Sequence, residues 1–137
     1  MFKIIIKDTA NIVYDKDNRI FLVKFEEISL NENVLAKIRK VFDQLVRTQV
    51  LCILDIRNVG LPTKILEEFF EKQTKNTKLL GLFLIINSLF RKTYLNIQMT
   101  LNQTNTHALN IQFFYSLEKA LDTAKALTNS LTEVLSK

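Results

Sequence analysis

The chain reads as a single α/β domain: a mixed sheet of four to five strands, opened by an antiparallel hairpin and continued by βα repeats whose helices pack on the sheet. Three observations predict this. In Val50–Glu71, VLCILDIRNVGLPTKILEEFFE, an apolar run ends on Asp55, a Gly/Pro turn follows and a helix opens at Thr63. That is how a strand buried on both faces feeds a covering helix. Ahead of it, two β-rich runs flank a turn-forming cluster, and after it apolar runs alternate with segments of helical spacing.

Taken in order, Phe2–Ile6 is a candidate edge strand. Asn11–Tyr14 and Arg19–Phe25 are rich in β-formers and separated by Asp15, Lys16, Asp17 and Asn18, which predicts the hairpin. Those acids do not make a calcium loop, because the segment is too short and lacks the distal glutamate of an EF-hand. Ser29 and Glu32 form an S-x-x-E capping box, after which Leu30, Val34, Leu35, Ile38, Val41, Phe42, Leu45 and Val46 recur at helical spacing. Lys37, Arg39, Lys40 and Asp43 are left for solvent. Val50–Asp55 is continuously apolar up to its last residue and predicts a central strand, which places Cys52 in the interior.

Thr63 is placed as a helix N-cap, with Ile65, Leu66, Phe69 and Phe70 as the apolar stripe behind it. Leu79–Asn87 is a second buried strand, ending where Ser88 can cap another helix. Ser88–Leu101 fits two patterns: Phe90, Tyr94, Ile97 and Leu101 suit a helix, whereas Leu95, Ile97, Met99 and Leu101 alternate like a strand. Leu109–Phe114 is the last strand. Ser116 then caps a long helix carrying Leu117, Ala120, Leu121, Ala124, Leu127, Leu131 and Val134. The resulting order is ββαβαβαβα, with a sheet that is parallel except at the hairpin. Only the first half of the last helix is needed to cover strands of about five residues. Leu127, Leu131 and Val134 are therefore candidates for a homodimer or partner contact.

Composition bounds the function. The 137 residues contain one Pro and no linker-like stretch, matching one domain of common size. Hydrophobic residues at 47% and charged residues at 24% are those of an ordinary folded domain rather than a disordered one. The opening Met1–Ile6 is too short for a signal-peptide core, and the longest apolar run, Leu79–Ile86, is far below the roughly 20 residues of a membrane span. With a lone cysteine and no membrane-insertion signal, the expected compartment is the cytoplasm.

A net charge of +5 and a pI near 9.4 invite a nucleic-acid reading. The cations, however, are interleaved with Glu32, Asp43, Glu67, Glu68 and Asp122, so no basic stripe forms and nucleic acid is not the expected partner. Lys72, Lys75 and Lys78 are the densest group, at a helix C-terminus where cations also complement the dipole. Tyr94 and Tyr115 read as residues covering the core edge.

Catalytic chemistry has little to stand on. His107 is the only histidine and follows the polar run Asn102–Thr106, which suits a surface loop better than a general base. Asp55 faces the crevice at a strand end, where a carboxylate more often accepts backbone N–H bonds of the turn than acts as a base. Glycine-rich phosphate loops and Cys/His clusters of metal spacing do not occur, so the reading assigns no catalytic residues, no metal and no cofactor.

The whole chain nevertheless resembles the STAS fold of bacterial anti-sigma-factor antagonists, most closely its small stand-alone bacterial relatives. The resemblance covers roughly residues 11 to 128. It rests on the order of elements and on ISLNENVLAKI, LCILDIRN, LPTKILEEFF, LLGLFLIINSLFRK and NIQFFYSLEKALDTA. It implies that Ser88–Leu101 is a helix crossing to the last strand. It also implies a regulatory role, because in partner-switching STAS proteins the matching loop carries Asp-Ser-Ser/Thr-Gly with a phosphorylated hydroxyl. Here Thr63 stands at the matching helix start, but Pro62 replaces the acid and no Gly follows. Thr63 is thus a helix cap first and a possible phosphoacceptor second.

Two kinds of function follow. The first is a non-enzymatic regulatory module that docks a protein partner through Asp55, Arg57, Asn58, Thr63, Lys64 and the Ser88 helix start. The second is a carrier of a small anionic or lipid-like ligand, held in the crevice at the strand C-terminal ends by N–H donors at Thr63 and Ser88 and by Arg91 and Lys92.

Overall fold

A computed structural model describes residues 2–6, 10–26, 32–59, 64–73, 75–88 and 110–136 of the chain. Six strands and three helices lie within them: β1 Phe2–Ile6, β2 Ala10–Asp15, β3 Ile20–Phe25, α1 Glu32–Leu45, β4 Val50–Asp55, α2 Lys64–Gln73, β5 Leu79–Ile85, β6 Asn110–Phe114 and α3 Leu117–Ser136. The α/β class and the mixed sheet are as the sequence predicts. The strand count is six rather than four to five, because Phe2–Ile6 pairs fully with β2 as an antiparallel edge strand, Phe2 opposite Tyr14 and Ile6 opposite Ala10.

The sheet order is β1-β2-β3-β4-β5-β6, so each strand pairs with its neighbours in sequence. β1, β2 and β3 form an antiparallel meander, and β3 to β6 run parallel. Parallel neighbours need crossover connections, and strands laid side by side in one direction place like-handed crossovers on one face. α1 and α2 indeed share a face. Val34, Leu35, Ile38 and Phe42 of α1 and Phe69 of α2 join Phe21, Val23, Cys52, Leu54, Leu82 and Leu84 in one apolar cluster. On the other face, Ala120 and Ala124 of α3 meet Ile20, Leu51, Ile53, Phe83 and Ile85. The two methyl side chains are wholly buried, which lets the helix lie close to the sheet.

β4 is the interior strand expected: all six residues are buried, with β3 on one side and β5 on the other. Cys52 is enclosed there, and burial pushes its thiol up to about 12. β5 ends at Ile85 rather than Asn87, because the Ile86 N–H donates to Phe114 O at the end of β6, beyond which that edge offers no further ladder. Gly81 faces Asn110 across the β5/β6 ladder, and a Cβ at that position would stand 3.0 Å from the Asn110 carbonyl oxygen. A side chain there would require the Asn110 carbonyl to give by a few tenths of an ångström.

The hairpin turn is built as the sequence suggests. Asn18 donates to both carboxylate oxygens of Asp15, from its N–H at 3.2 Å and its amide Nδ2 at 2.7 Å. These bonds hold the Asp15 carboxyl below its usual range. Arg19 closes the turn in the left-handed region at φ 56°. Ser116 caps α3, its Oγ accepting the Lys119 N–H at 3.2 Å. The Ser29 capping box, the Thr63 cap and the helix-or-strand question at residues 89–101 lie outside the described residues, whereas α1 and α2 themselves are present.

Candidate functional site

At the C-terminal end of β4 the chain makes its one bidentate ion pair among the described residues. Asp55 is only 2% exposed, and it follows Leu51 and Ile53 on the same face of the strand by simple alternation. Its carboxylate accepts three hydrogen bonds from Arg57: from the backbone N–H at 3.2 Å and from Nε at 2.9 Å, both to Oδ1, and from the guanidinium NH2 at 2.7 Å to Oδ2. A buried carboxylate costs several kcal/mol unless its lone pairs are met, and here a residue two positions away meets them. The hydrogen bonds to Asp55 raise the Arg57 guanidinium above its usual range.

The backbone supports this arrangement. Ile56 N–H donates to Ile85 O at 3.0 Å, extending the β4/β5 ladder one residue beyond Asp55, and Val59 N–H closes a turn on Ile56 O at 3.1 Å. Ile56 and Val59 are buried on either side of Arg57 and Asn58, so the turn is anchored at both ends while its tip faces water. The Arg57 side chain is 38% exposed, and Asn58 is exposed. Ser88, three residues beyond the adjacent parallel β5, is exposed at the same end of the sheet.

Of the eight residues singled out by sequence, the structure thus brings Asp55, Arg57, Asn58 and Ser88 to one end of two neighbouring strands. Lys64 opens α2, and its side chain is not described. Thr63, Arg91 and Lys92 lie outside the described residues, as does His107. The expectation that Asp55 binds turn N–H groups holds, but its larger partner is the Arg57 side chain. That pair has no sequence signal of its own, since residues two apart meet only when the turn folds back.

A separate feature was not legible in the sequence. Between α1 and α2, on the opposite side of the sheet from α3, lies a cleft of about 410 Å3 whose apolar wall includes Phe21, Val23, Phe42, Cys52, Leu54 and Phe69. It is bordered by the α2–β5 connection and so opens toward the N-terminal ends of the strands, away from Arg57. Phe21 and Phe42 meet edge to face there, with ring centroids 5.1 Å apart.

The contact surface expected on the last helix is only partly present in the described residues. Leu127 is half-buried and packs on the α3 face of the core, so the helix covers the sheet beyond its first half. The side chains of Leu131 and Val134 are not described. Thr128, absent from the predicted stripe, is buried, and its hydroxyl donates back to Ala124 O at 3.0 Å. Its spacing of four from Ala120 and Ala124 was the available signal. Tyr115, expected to cover the core edge, is instead 49% exposed just past β6. No described helix is long and apolar enough to cross a membrane. Comparison with protein-family models, with curated proteins and with solved structures finds no match to this chain.

Proposed function

We propose that the chain is a non-enzymatic regulatory interaction module, of the STAS-like kind its sequence resembles, acting in the cytoplasm by docking a protein partner at the C-terminal ends of β4 and β5. The observation that carries this reading is Arg57. Its guanidinium is fixed by two side-chain bonds to a buried carboxylate, yet the side chain remains 38% exposed, beside exposed Asn58 and Ser88. A preorganised cation loses less side-chain entropy on docking than a free one, which favours a rigid recognition surface for a partner's carboxylate or carbonyl groups. Thr63, immediately before α2, is the position at which phosphorylation would add negative charge to a helix start close to this surface in sequence.

The test is site-specific photo-crosslinking in the native cell. With the crosslinking residue at position 58 or 88, the same discrete adduct should form, and a probe at exposed Lys125 on α3 should not give it. Identical adducts from all three positions, or none from 58 and 88, would rule the docking surface out. Intact-mass measurement of natively purified protein beside its denatured form reports in the same sample on phosphate at Thr63, on bound ligand and on self-association.

A further inference from the structure

The α1/α2 cleft lies at the other end of the strands from the docking surface and stands independently of it. Its apolar wall is contributed by the sheet and both helices, while its described polar rim carries Arg39 from α1, Lys72 from α2, and Lys75 and Lys78 from the α2–β5 connection, against the carboxylate of Asp43; Glu32 and Glu68 share the adjoining hollow with Arg39 and Lys72. Among the described residues none of these four cations is ion-paired. Among the described residues lining the cleft itself, four positive charges and one negative leave a surplus of three; Glu32 and Glu68 next door reduce it for Arg39 and Lys72, so Lys75 and Lys78 carry what remains.

Part of that surplus answers the helix dipoles. The lining residues belong to the second half of α1 and the last turns of α2, so two helix C-termini point toward the cleft, together worth about one negative charge. Beyond that offset, Lys75 and Lys78 still stand as two cations beside an apolar hollow. Dipole complementation therefore does not account for the rim, whereas an anionic group on an apolar tail matches both halves of it. The volume narrows the size. At about 30 Å3 per water-sized group, 410 Å3 takes roughly 14 non-hydrogen atoms, within the range of small-ligand sites.

We infer that this cleft binds a single-chain amphiphilic carboxylate of medium length, its tail against Phe42, Phe69, Cys52 and Leu54 and its head group among Arg39, Lys72, Lys75 and Lys78. The rim cations select the head group, and the volume of the half-open cleft limits the tail. The site differs from the crevice at the strand C-terminal ends in both location and lining.

Decanoate is the probe, titrated below its aggregation range into the intact protein with methyl NMR as the readout. Saturable shifts are expected at Ile38, Val23 and Leu54, with none at Leu121 and Leu127 on the α3 face. Decanol, which keeps the tail and loses the charge, should bind about tenfold more weakly, as should decanoate to the exposed-rim variant Lys72→Glu/Lys75→Glu. An unchanged methyl spectrum of that variant without ligand shows that it is folded. No saturable shift with decanoate, shifts on both faces of the sheet, equal binding of decanol, or undiminished binding by the folded variant would each overturn the inference.

Discussion

Removing Arg57 and removing Asp55 should have very different consequences, although the two residues share the same bonds. Arg57→Ala takes away the Nε and NH2 donors at 2.9 and 2.7 Å and leaves a carboxylate that is 3% exposed with one remaining bond, from the backbone N–H of residue 57. Breaking a buried pair by stranding its charge costs about 3–5 kcal/mol. Because the Arg57 side chain is 38% exposed, water can enter part of the space it vacates, which puts the expected loss near the lower bound, about 3 kcal/mol. Asp55→Ala strands nothing, since the released guanidinium already reaches solvent, and the loss should be about 1–2 kcal/mol. The decisive comparison is Arg57→Ala in the Asp55→Ala background, where it should cost under about 1 kcal/mol, giving a coupling of about 2 kcal/mol. Urea unfolding of the four proteins, with m-values compared to confirm equal exposure on unfolding, measures all terms. Equal single losses that simply add would refute the account of Asp55 as a buried charge dependent on Arg57.

The other expectations concern the scaffold. Gly81→Ala should destabilise by about 1 kcal/mol net, because the entropy gain of about 0.5–1 kcal/mol is outweighed by crowding of the Asn110 carbonyl at 3.0 Å, and hydrogen exchange should loosen first in β6. A more stable variant would contradict the close approach. Asn18→Ala should cost about 1 kcal/mol at neutral pH, read by thermal or urea unfolding. Since Asn18 holds the folded Asp15 carboxyl below its unfolded value of about 3.9, that contribution is present above pH 4 and is lost as the pH falls through the lower folded value. The deficit of the variant relative to the parent should therefore shrink in acid, and a deficit that grew instead would reverse the assignment. Cys52, raised to about 12 by burial, should react slowly with thiol reagents at pH 7 even though it lines the α1/α2 cleft, because almost none of it is thiolate; rapid modification of the native chain would contradict its place in β4.

The parts of this molecule that could be read from the sequence are those fixed by local pattern. Five apolar residues in a row from Val50 announce a strand covered on both faces, and the spacing of Val34, Leu35, Ile38 and Phe42 gives the buried face of α1 directly. Ser116 as a cap and Asp15 with Asn18 as a turn follow from side chains that bond the backbone nearby. The rest depended on how elements meet. Phe2–Ile6 reads as a candidate edge strand, as the structure has it, but nothing local says that the Arg57 side chain folds back onto Asp55 or that Gly81 lies against the Asn110 carbonyl. The cleft is the extreme case. Its wall comes from β3, β4, α1 and α2, and its volume is set by the spacing of two helices, a quantity no linear pattern encodes.

The strand order carries a consequence for how the protein is made. Because every strand lies beside the one preceding it in the chain, each newly synthesised strand adds to an edge already in place rather than waiting for a later segment to be inserted. Sheet pairings close short or single-crossover loops, the topology associated with faster folding among mixed α/β domains. The growing edge is nevertheless exposed until its successor arrives: β4, apolar up to its last residue, has no partner on its outer side before β5 has left the ribosome. A pause with β4 outside the exit tunnel and β5 still inside it would prolong that state. A chain stalled there should be a preferred chaperone client, whereas one carrying β5 should be released.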